Sequence, residues 1–366
     1  MFIKYFSKAK PKESFLNKLC HSGDMALDSK DIDKIKEELM NSKRPLFFFH
    51  DDQDGLCSFL LLYRLIKEGK GIVVKSVPKL DEKFVMKVKE YEPDKIFILD
   101  IAMVEQDFVD KVNVPIIWID HHEPQTINGV KIFNPRIKNK KDNTPVTYTC
   151  YQVAKNDLWI AAIGCIGDWF LPDFFDEFKE KYPDLVKNSI KNPGDILFTT
   201  EIGKLAKIFS FVLKGKTKEA EKCFKILTRI ETPCEILKQE TSKGRFIYKR
   251  FEKINFLYEN LLEDALKKAS KDKIIRFIYE ESKTSFSGDL ANELLYRFPD
   301  KFIIVGREKA GEIRMSLRYN KTLLFILKKA LEGIEGYGGG HEYACGANVK
   351  KEDFDLFIKR IREEIK

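Results

Sequence analysis

The stretch "PLFFFHDDQDGLCSFLLLYRL", residues 45–65, ends a run of phenylalanines in a histidine and three aspartates, then returns at once to apolar residues. That much negative charge between two hydrophobic segments is costly in a folded protein unless a cation or a catalytic task offsets it. LFFF has the length and composition of a buried strand. LCSFLLLYRLIKEG reads as a helix stopped by Gly69. His50, Asp52 and Asp54 stand at i, i+2 and i+4 directly after the strand. In an extended segment that spacing projects side chains in one direction. Asp51 reads as a helix cap or turn residue.

The same alternation continues outward. GIVVKSV is a strand and DEKFVMKVKEY a helix; KIFILDIA is a strand and EQDFVDKV a helix; PIIWIDHHEP is a strand running into a loop. Short apolar strands alternating with helices predict a parallel sheet covered on both faces, an α/β fold. Ligands bind such sheets at the carboxyl ends of the strands. Upstream, residues 1–44 form a helical preface, with helical spacing in DSKDIDKIKEELMNSK. Residues 190–272 are rich in lysine and glutamate at helical spacing and predict a helical connector after a first domain over 45–189. Strand signals return from Lys273 in KIIRFIYE, FIIVGREKAGEIRMSLRYN and GYGGGHEYACGANV, which predicts a smaller α/β domain over 273–366.

The 366 residues suit two domains, and 43% hydrophobic with 33% charged residues describe a folded chain rather than a disordered one. No apolar run is long enough for a membrane span, and the N-terminus lacks the apolar core of a signal peptide. Seven scattered cysteines without a CxxC pair indicate neither a zinc knuckle nor a disulfide framework, and free thiols point to the cytoplasm. A formal charge of +8 is compatible with nucleic-acid binding.

Three strands thus end in metal-ligand residue types: His50, Asp52 and Asp54; Asp100; and Asp120, His121 and His122. Asp168, in AAIGCIGDW, follows another apolar run. A parallel sheet would gather all four groups at one edge. A single aspartate at a strand end is most often a cap or turn residue, but the chain has only five histidines and three of them fall beside these acids. Carboxylates mixed with imidazoles suit Mn²⁺ or another divalent first-row ion better than a thiolate zinc site does. Two such ions sharing a carboxylate would generate a hydroxide nucleophile and clamp a phosphoryl group for in-line attack.

HDDQDG, the strand-terminal Asp100, DHH at 120–122, GCIGD at 164–168 and GGGH at 338–341 stand in the order found in DHH phosphoesterases, and the chain resembles that family over 45–185 and 273–366. The family includes RecJ-like single-strand exonucleases, oligoribonucleases, cyclic-dinucleotide phosphodiesterases and manganese pyrophosphatases. The resemblance implies two Mn²⁺ ions, with Mg²⁺ or Co²⁺ as substitutes. His50, Asp52 and Asp100 would hold one ion. Asp54, Asp100, His121 and Asp168 would hold the other, with Asp100 bridging. His122 would face the scissile phosphate and Asp120 would orient the ligand shell from behind. It also implies an active site in the cleft between the two domains, and a DHH-associated second domain that grips the substrate. Gln53 stands where many members have a small residue, the connector is longer than in minimal small-substrate members, and no C-terminal oligonucleotide-binding barrel fits in the chain.

In GEIRMSLRYN, Arg314, Ser316 and Arg318 alternate with Met315 and Leu317, so a strand would place two guanidiniums and a hydroxyl on one face. Gly338, Gly339 and Gly340 with His341 read as a glycine-rich loop that approaches a phosphate. The basic loop RIKNKKDN, residues 136–143, is suited equally to tracking a nucleic-acid backbone or to plain solvation. Three functions follow in order: a RecJ-like exonuclease on single-stranded DNA or RNA, as in DNA repair; a phosphoesterase for short oligonucleotides, phosphoadenosine phosphate or cyclic dinucleotides; and a scaffold with a replication or repair protein partner. The complete set of costly acids argues against the last.

Overall fold

A computed structural model describes residues 27–75, 79–187, 190, 192–269, 272–280, 284–340 and 342–365. The chain divides into two compact units, one running to Glu252 and one beginning at Lys253.

The first unit is built on strands β1 (Pro45–His50), β2 (Lys70–Val74), β4 (Lys95–Leu99), β6 (Ile116–Ile119) and β7 (Val130–Phe133), in the order β2-β1-β4-β6-β7 and all parallel. A short parallel pair, β3 (Lys79–Leu80) and β5 (Met103–Val104), lies outside this sheet. The near-continuous apolar strands follow from burial on both faces. On one face Phe48, Ile98 and Trp118 pack with Val85, Val88 and Phe108 of the helices Val85–Tyr91 and Gln106–Val112. On the other, Phe59 of the helix Gln53–Ile66 packs edge-on to Phe47 (5.6 Å) and stacks on Phe49 at 4.8 Å.

Strand order reverses between β1 and β4, where the chain leaves in opposite directions across the sheet. Such a switch point opens a crevice at the carboxyl ends of its strands. Register then fixes what lines the crevice. His50 pairs with Val74, Phe49 with Leu99, Leu99 with Ile119, and Ile119 with Phe133. Val74, His50, Asp100, Asp120 and Asn134 therefore occupy one row across the rim.

Several expectations are corrected. The helix after β1 ends at Ile66, with Lys67 in the left-handed region (φ 56°), before Gly69 is reached. Its N-cap is Asp52, which accepts from the Gly55 amide at 3.0 Å, and Asp51 takes no part in the cap. Residues 1–26 of the preface lie outside the described residues, while Ser29–Met40 is helical as its spacing predicts. The connector segment is helical, but its helices Pro193–Thr199, Glu201–Leu213, Thr217–Leu227 and Pro233–Leu237 belong to the first unit. Phe224 packs edge-on against both Phe49 and Phe59, so this segment completes the core of the sheet.

The second unit holds a mixed sheet, β11 (Gly336–Gly340), β12 (Ala344–Lys350), β10 (Glu312–Arg318), β9 (Phe302–Lys309) and β8 (Ile274–Glu280), in that order, with only β8 and β9 parallel. Ala310 (φ 49°) and Gly311 (φ 78°) join β9 to β10. Two successive positive φ values match the twist of a tight hairpin. Ile304, Ile313, Met315, Leu317, Cys345 and Val349 face a core shared with the helices Leu323–Leu331 and Phe354–Glu364. The run Gly338, Gly339 and Gly340 is an exposed edge strand and not a loop: it pairs antiparallel with β12, and a Cβ at Gly338 would sit 2.9 Å from the Gly346 carbonyl. His341 lies outside the described residues. The described cysteines are free thiols, and among the described residues no helix is long and apolar enough to cross a membrane.

Candidate metal centre

His50 ends β1 with Nδ1 2.7 Å from Asp52 Oδ2 and 3.3 Å from Asp100 Oδ2. Gly55 permits this approach, because a Cβ there would lie 2.5 Å from the His50 carbonyl oxygen and 2.7 Å from its nitrogen. Asp100 follows β4 in the left-handed region (φ 57°). A non-glycine residue held there is strained, and strain of this kind gathers at functional sites. The turn brings one carboxylate oxygen towards His50 and the other to 3.4 Å from His121 Nε2.

His121 links Asp100 to two further acids. Its Nε2 lies 3.9 Å from Asp54 Oδ2 and its Nδ1 3.7 Å from Asp168 Oδ2. Asp54 is buried in the first turn of its own helix and accepts from the backbone amides of Val146 (2.9 Å) and Thr147 (2.6 Å), the start of the helix Val146–Ala154. Asp168 comes from a helix end and not from the sheet: it is the C-cap of Leu158–Gly167. The glycines of GCIGD let that helix approach. A Cβ at Gly164 would lie 2.3 Å from Thr147 Oγ1, and one at Gly167 2.7 Å from Gln53 Cβ.

Asp120 and His122 stand slightly apart. Nδ1 of His122 donates to Asp120 Oδ1 at 2.8 Å, and the His122 amide donates to Asp120 Oδ2 at 2.8 Å. Asn134, buried at the end of β7, donates to Asp120 Oδ2 at 3.4 Å and to the His122 carbonyl at 2.9 Å. Sequence reading missed Asn134. The available signal was the same as for the other strand ends: a polar residue closing the apolar run VKIF.

The donor set fits divalent ions. Four carboxylates converge, and among the described residues their ion pairs are all with imidazoles. Burial, then the Asp100 charge, raises the carboxyls of Asp52 and Asp54, the latter well above the usual range. Burial, opposed by His121 and reinforced by Asp100, pushes Asp168 up to about 6. Against the penalty of burial, hydrogen bonds from His121 and His50 hold Asp100 well below the usual range, so the shared carboxylate stays ionised. Those bonds and neighbouring charges raise both imidazoles well above theirs, although burial opposes it. Excess negative charge of this kind attracts a cation. Atoms of His50, Asp52 and Asp100 lie within 4.8 Å of one another, as do atoms of Asp54, His121 and Asp168, and of Asp100, His121 and His122.

In the second unit the alternation read in GEIRMSLRYN holds: Met315 and Leu317 are core, and Arg314, Ser316 and Arg318 share the other face. Arg318 Nε donates to Asn292 Oδ1 at 2.6 Å and its Nη1 to the Leu317 carbonyl at 2.9 Å. Burial pushes its guanidinium down to about 10, so it remains charged at neutral pH while bonded to neutral acceptors. Val305 of β9 stands opposite Ser316 on one side, while on its β12 side the surface lacks side chains. There Gly346 stands opposite Ser316 and faces Gly339 in turn, and a Cβ at Gly288 would still lie 3.9 Å from Ser316 Oγ and 4.0 Å from Arg318 Nη2. Arg314 is 56% exposed and lies 3.7 Å from Glu312. The basic loop after DHH is partly neutralised: Lys138 bonds Asp28 and Asp31, each at 2.8 Å, and Arg136 pairs with Glu123 at 3.2 Å.

Comparison with known proteins agrees with this architecture. Residues 46–165 match the DHH family, N-terminal domain, and residues 270–366 match the DHHA1 domain, together more than half of the chain. An uncharacterized protein of Methanocaldococcus jannaschii is 25% identical over 92% of this chain and 98% of its own length. The fold is similar to RecJ from Thermus thermophilus in complex with Mn²⁺ (TM-score 0.65, 17% identity, 93% of this chain), although the chain spans only 56% of that protein. It is also similar to an exonuclease RecJ bound to manganese (TM-score 0.59, 16% identity, 93% of this chain and 94% of that one).

Proposed function

This chain belongs to the DHH family of metal-dependent phosphoesterases, and on that premise we propose that it is a RecJ-like exonuclease acting on single-stranded DNA or RNA. The observation that carries the reading is the pair of ligand groups meeting at Asp100, the His50–Asp52 pair on one side and His121 with Asp54 and Asp168 on the other. His50, Asp52 and Asp100 would hold one ion, and Asp54, Asp100, His121 and Asp168 a second. Oxygen-rich ligands with one or two imidazoles suit Mn²⁺, with Mg²⁺ or Co²⁺ able to substitute. Bound divalent ions lower the pKa of water and neutralise charge on a phosphoryl group.

The protein's own groups supply the remaining chemistry. Asp120 and Asn134 engage His122 through its Nδ1, amide and carbonyl and so fix its ring, and by family resemblance His122 would face the scissile phosphate. A ring held there could donate to a phosphoryl oxygen or pass a proton to the leaving oxygen. In the second unit Ser316 Oγ and the Arg318 guanidinium stand beside Gly288 and next to the Gly346–Gly339 pair, whose missing side chains leave room for a phosphate or a strand terminus. Gly338, Gly340 and His341 share that role by family resemblance.

The test is hydrolysis of end-labelled single strands of graded length, DNA and RNA, with Mn²⁺. A ladder shortening from one end supports the exonuclease. Cleavage confined to strands of two to four nucleotides would replace it with a small-substrate phosphoesterase. No hydrolysis by metal-loaded protein would leave the scaffold.

A further inference from the structure

The charge of Arg318 is matched by no acid. Elsewhere two enclosed arginines are matched: Arg64, 15% exposed at its side chain, meets Asp157 at 2.7 Å, and Arg250, 10% exposed, meets Glu219 at 3.0 Å. Arg318 is half-buried at the end of β10. Its Nε donates to Asn292 Oδ1 and its Nη1 to the Leu317 carbonyl, both neutral acceptors, and among the described residues Nη2 has no partner.

An enclosed cation without a counter-charge is costly, and the simplest remedy is one atom away. Aspartate at 292 would put an oxygen where Asn292 Oδ1 stands. It would turn a neutral hydrogen bond into a charge-assisted one, roughly twice as strong. The helix Ser287–Arg297 does carry acids, but they are held off. Glu293 turns to Tyr258 at 2.6 Å and to Arg297 Nε at 3.0 Å. Asp289 acts on Arg318 only through space.

The same helix keeps the far edge of the guanidinium clear. Gly288 stands one turn before Asn292 on the same helix face. A Cβ there would lie 4.0 Å from Arg318 Nη2 and 3.9 Å from Ser316 Oγ, so its absence leaves space at both donors. A guanidinium is a planar fork, and fixing it through Nε and Nη1 also fixes where Nη2 points.

We infer that Asn292 is a positioning residue for the proposed reaction: through a neutral acceptor it fixes the Arg318 guanidinium, and so leaves the full charge and the Nη2 edge to an anionic group of the substrate. An asparagine present only to satisfy Nε would be replaced by aspartate without loss of binding, which separates the two roles. The inference rests on the substrate role given to Arg318 above and deepens it.

The experiment uses the full chain in chelator, where binding is read without digestion. Fluorescence anisotropy of a labelled six-nucleotide oligothymidylate is measured across a salt series, beside thermal melts, for the parent, Asn292→Asp, Asn292→Ala, Arg318→Ala and the double variant Asn292→Ala/Arg318→Ala. Asn292→Asp should raise the melting midpoint yet weaken binding about tenfold, with the log–log salt slope shallower by about 0.7, one phosphate contact neutralised on a single strand. Asn292→Ala, which loosens the guanidinium but keeps its charge, should weaken binding about threefold with the slope unchanged. In the Arg318→Ala background, Asn292→Ala should cost no further affinity, because the two residues act as one unit.

Parental affinity and slope in a stabilised Asn292→Asp overturn the role, since the charge of Arg318 would then be unused. So does a melting midpoint at or below the parent's, because the acid would not be pairing with Arg318. Additive losses in the double variant, or a parent that binds no oligonucleotide, overturn it too. The expected pattern in a protein that hydrolyses no nucleic acid with Mn²⁺ sustains the role of Asn292 and removes the exonuclease reading instead. Digestion of single strands beside any overturning result removes the role and leaves that reading.

Discussion

Asp168→Asn should stabilise the metal-free protein at neutral pH while removing activity. The Asp168 side chain pairs with His121 Nδ1 at 3.7 Å, and its position at the helix end is set by backbone bonds to Gly164 and Cys165. Burial, opposed by His121 and reinforced by Asp100 and Asp52, lifts its carboxyl from 3.8 to about 6. A carboxyl raised on folding penalises the folded state wherever it must ionise. The penalty is absent below pH 4, grows between 4 and 6, and is complete above 6. The shift corresponds to about 3 kcal/mol. With 35% of the side chain open to solvent, screening reduces this to ~1–2 kcal/mol. Thermal melts in chelator should therefore rise by roughly 3–6 °C at pH 7.5, and by about half as much at pH 5. Adding Mn²⁺ should raise the parent's midpoint well above that of the variant. Equal or lower stability of the variant in chelator at pH 7.5, or a gain as large at pH 5, would show that the carboxylate cluster does not repel itself.

Three further outcomes follow from the same geometry. Asp100→Asn, which tolerates the left-handed backbone, should lower kcat roughly 10³-fold, about 4 kcal/mol, and metal analysis should find both ions depleted; full occupancy would remove the bridging role. Arg318→Ala should raise KM about 10- to 100-fold through loss of a charge-assisted contact, with metal content unchanged, and loss of bound metal in a folded variant would contradict its assignment to the substrate. Gly55→Ala, whose Cβ would lie 2.5 Å from the His50 carbonyl oxygen, should destabilise the first unit by about 1–3 kcal/mol, and an unshifted denaturation midpoint would refute the close approach of helix and strand.

The strand-and-helix order of the first unit, the residues at its strand ends and the two-faced strand over 312–318 were legible in the sequence because each is a local pattern of period two or of apolar run length. What depended on partners was not. Asp168 was grouped with the strand ends because an apolar run of nine consecutive buried residues has no periodicity to betray a helix. Asn134 entered the site through the β6–β7 register, which no local pattern encodes. The glycine run around 338 reads as a turn until β12 pairs with it. Phe224 gave no sign that its helix closes the core over Phe49 and Phe59, since a lysine- and glutamate-rich amphipathic helix has the same composition whether it docks or merely connects.

Asp54 holds the opening amides of the helix Val146–Ala154 with both carboxylate oxygens, a pattern that neither asparagine nor alanine can reproduce. In a lineage that abandoned hydrolysis, selection for folding alone would go on preserving this aspartate, while Asp168, whose side chain caps nothing, would be free to drift. Descendants that retain the first acid and have lost the second would be the fossils of discarded chemistry, and a surviving Asp54 by itself testifies to an intact fold rather than to a working enzyme.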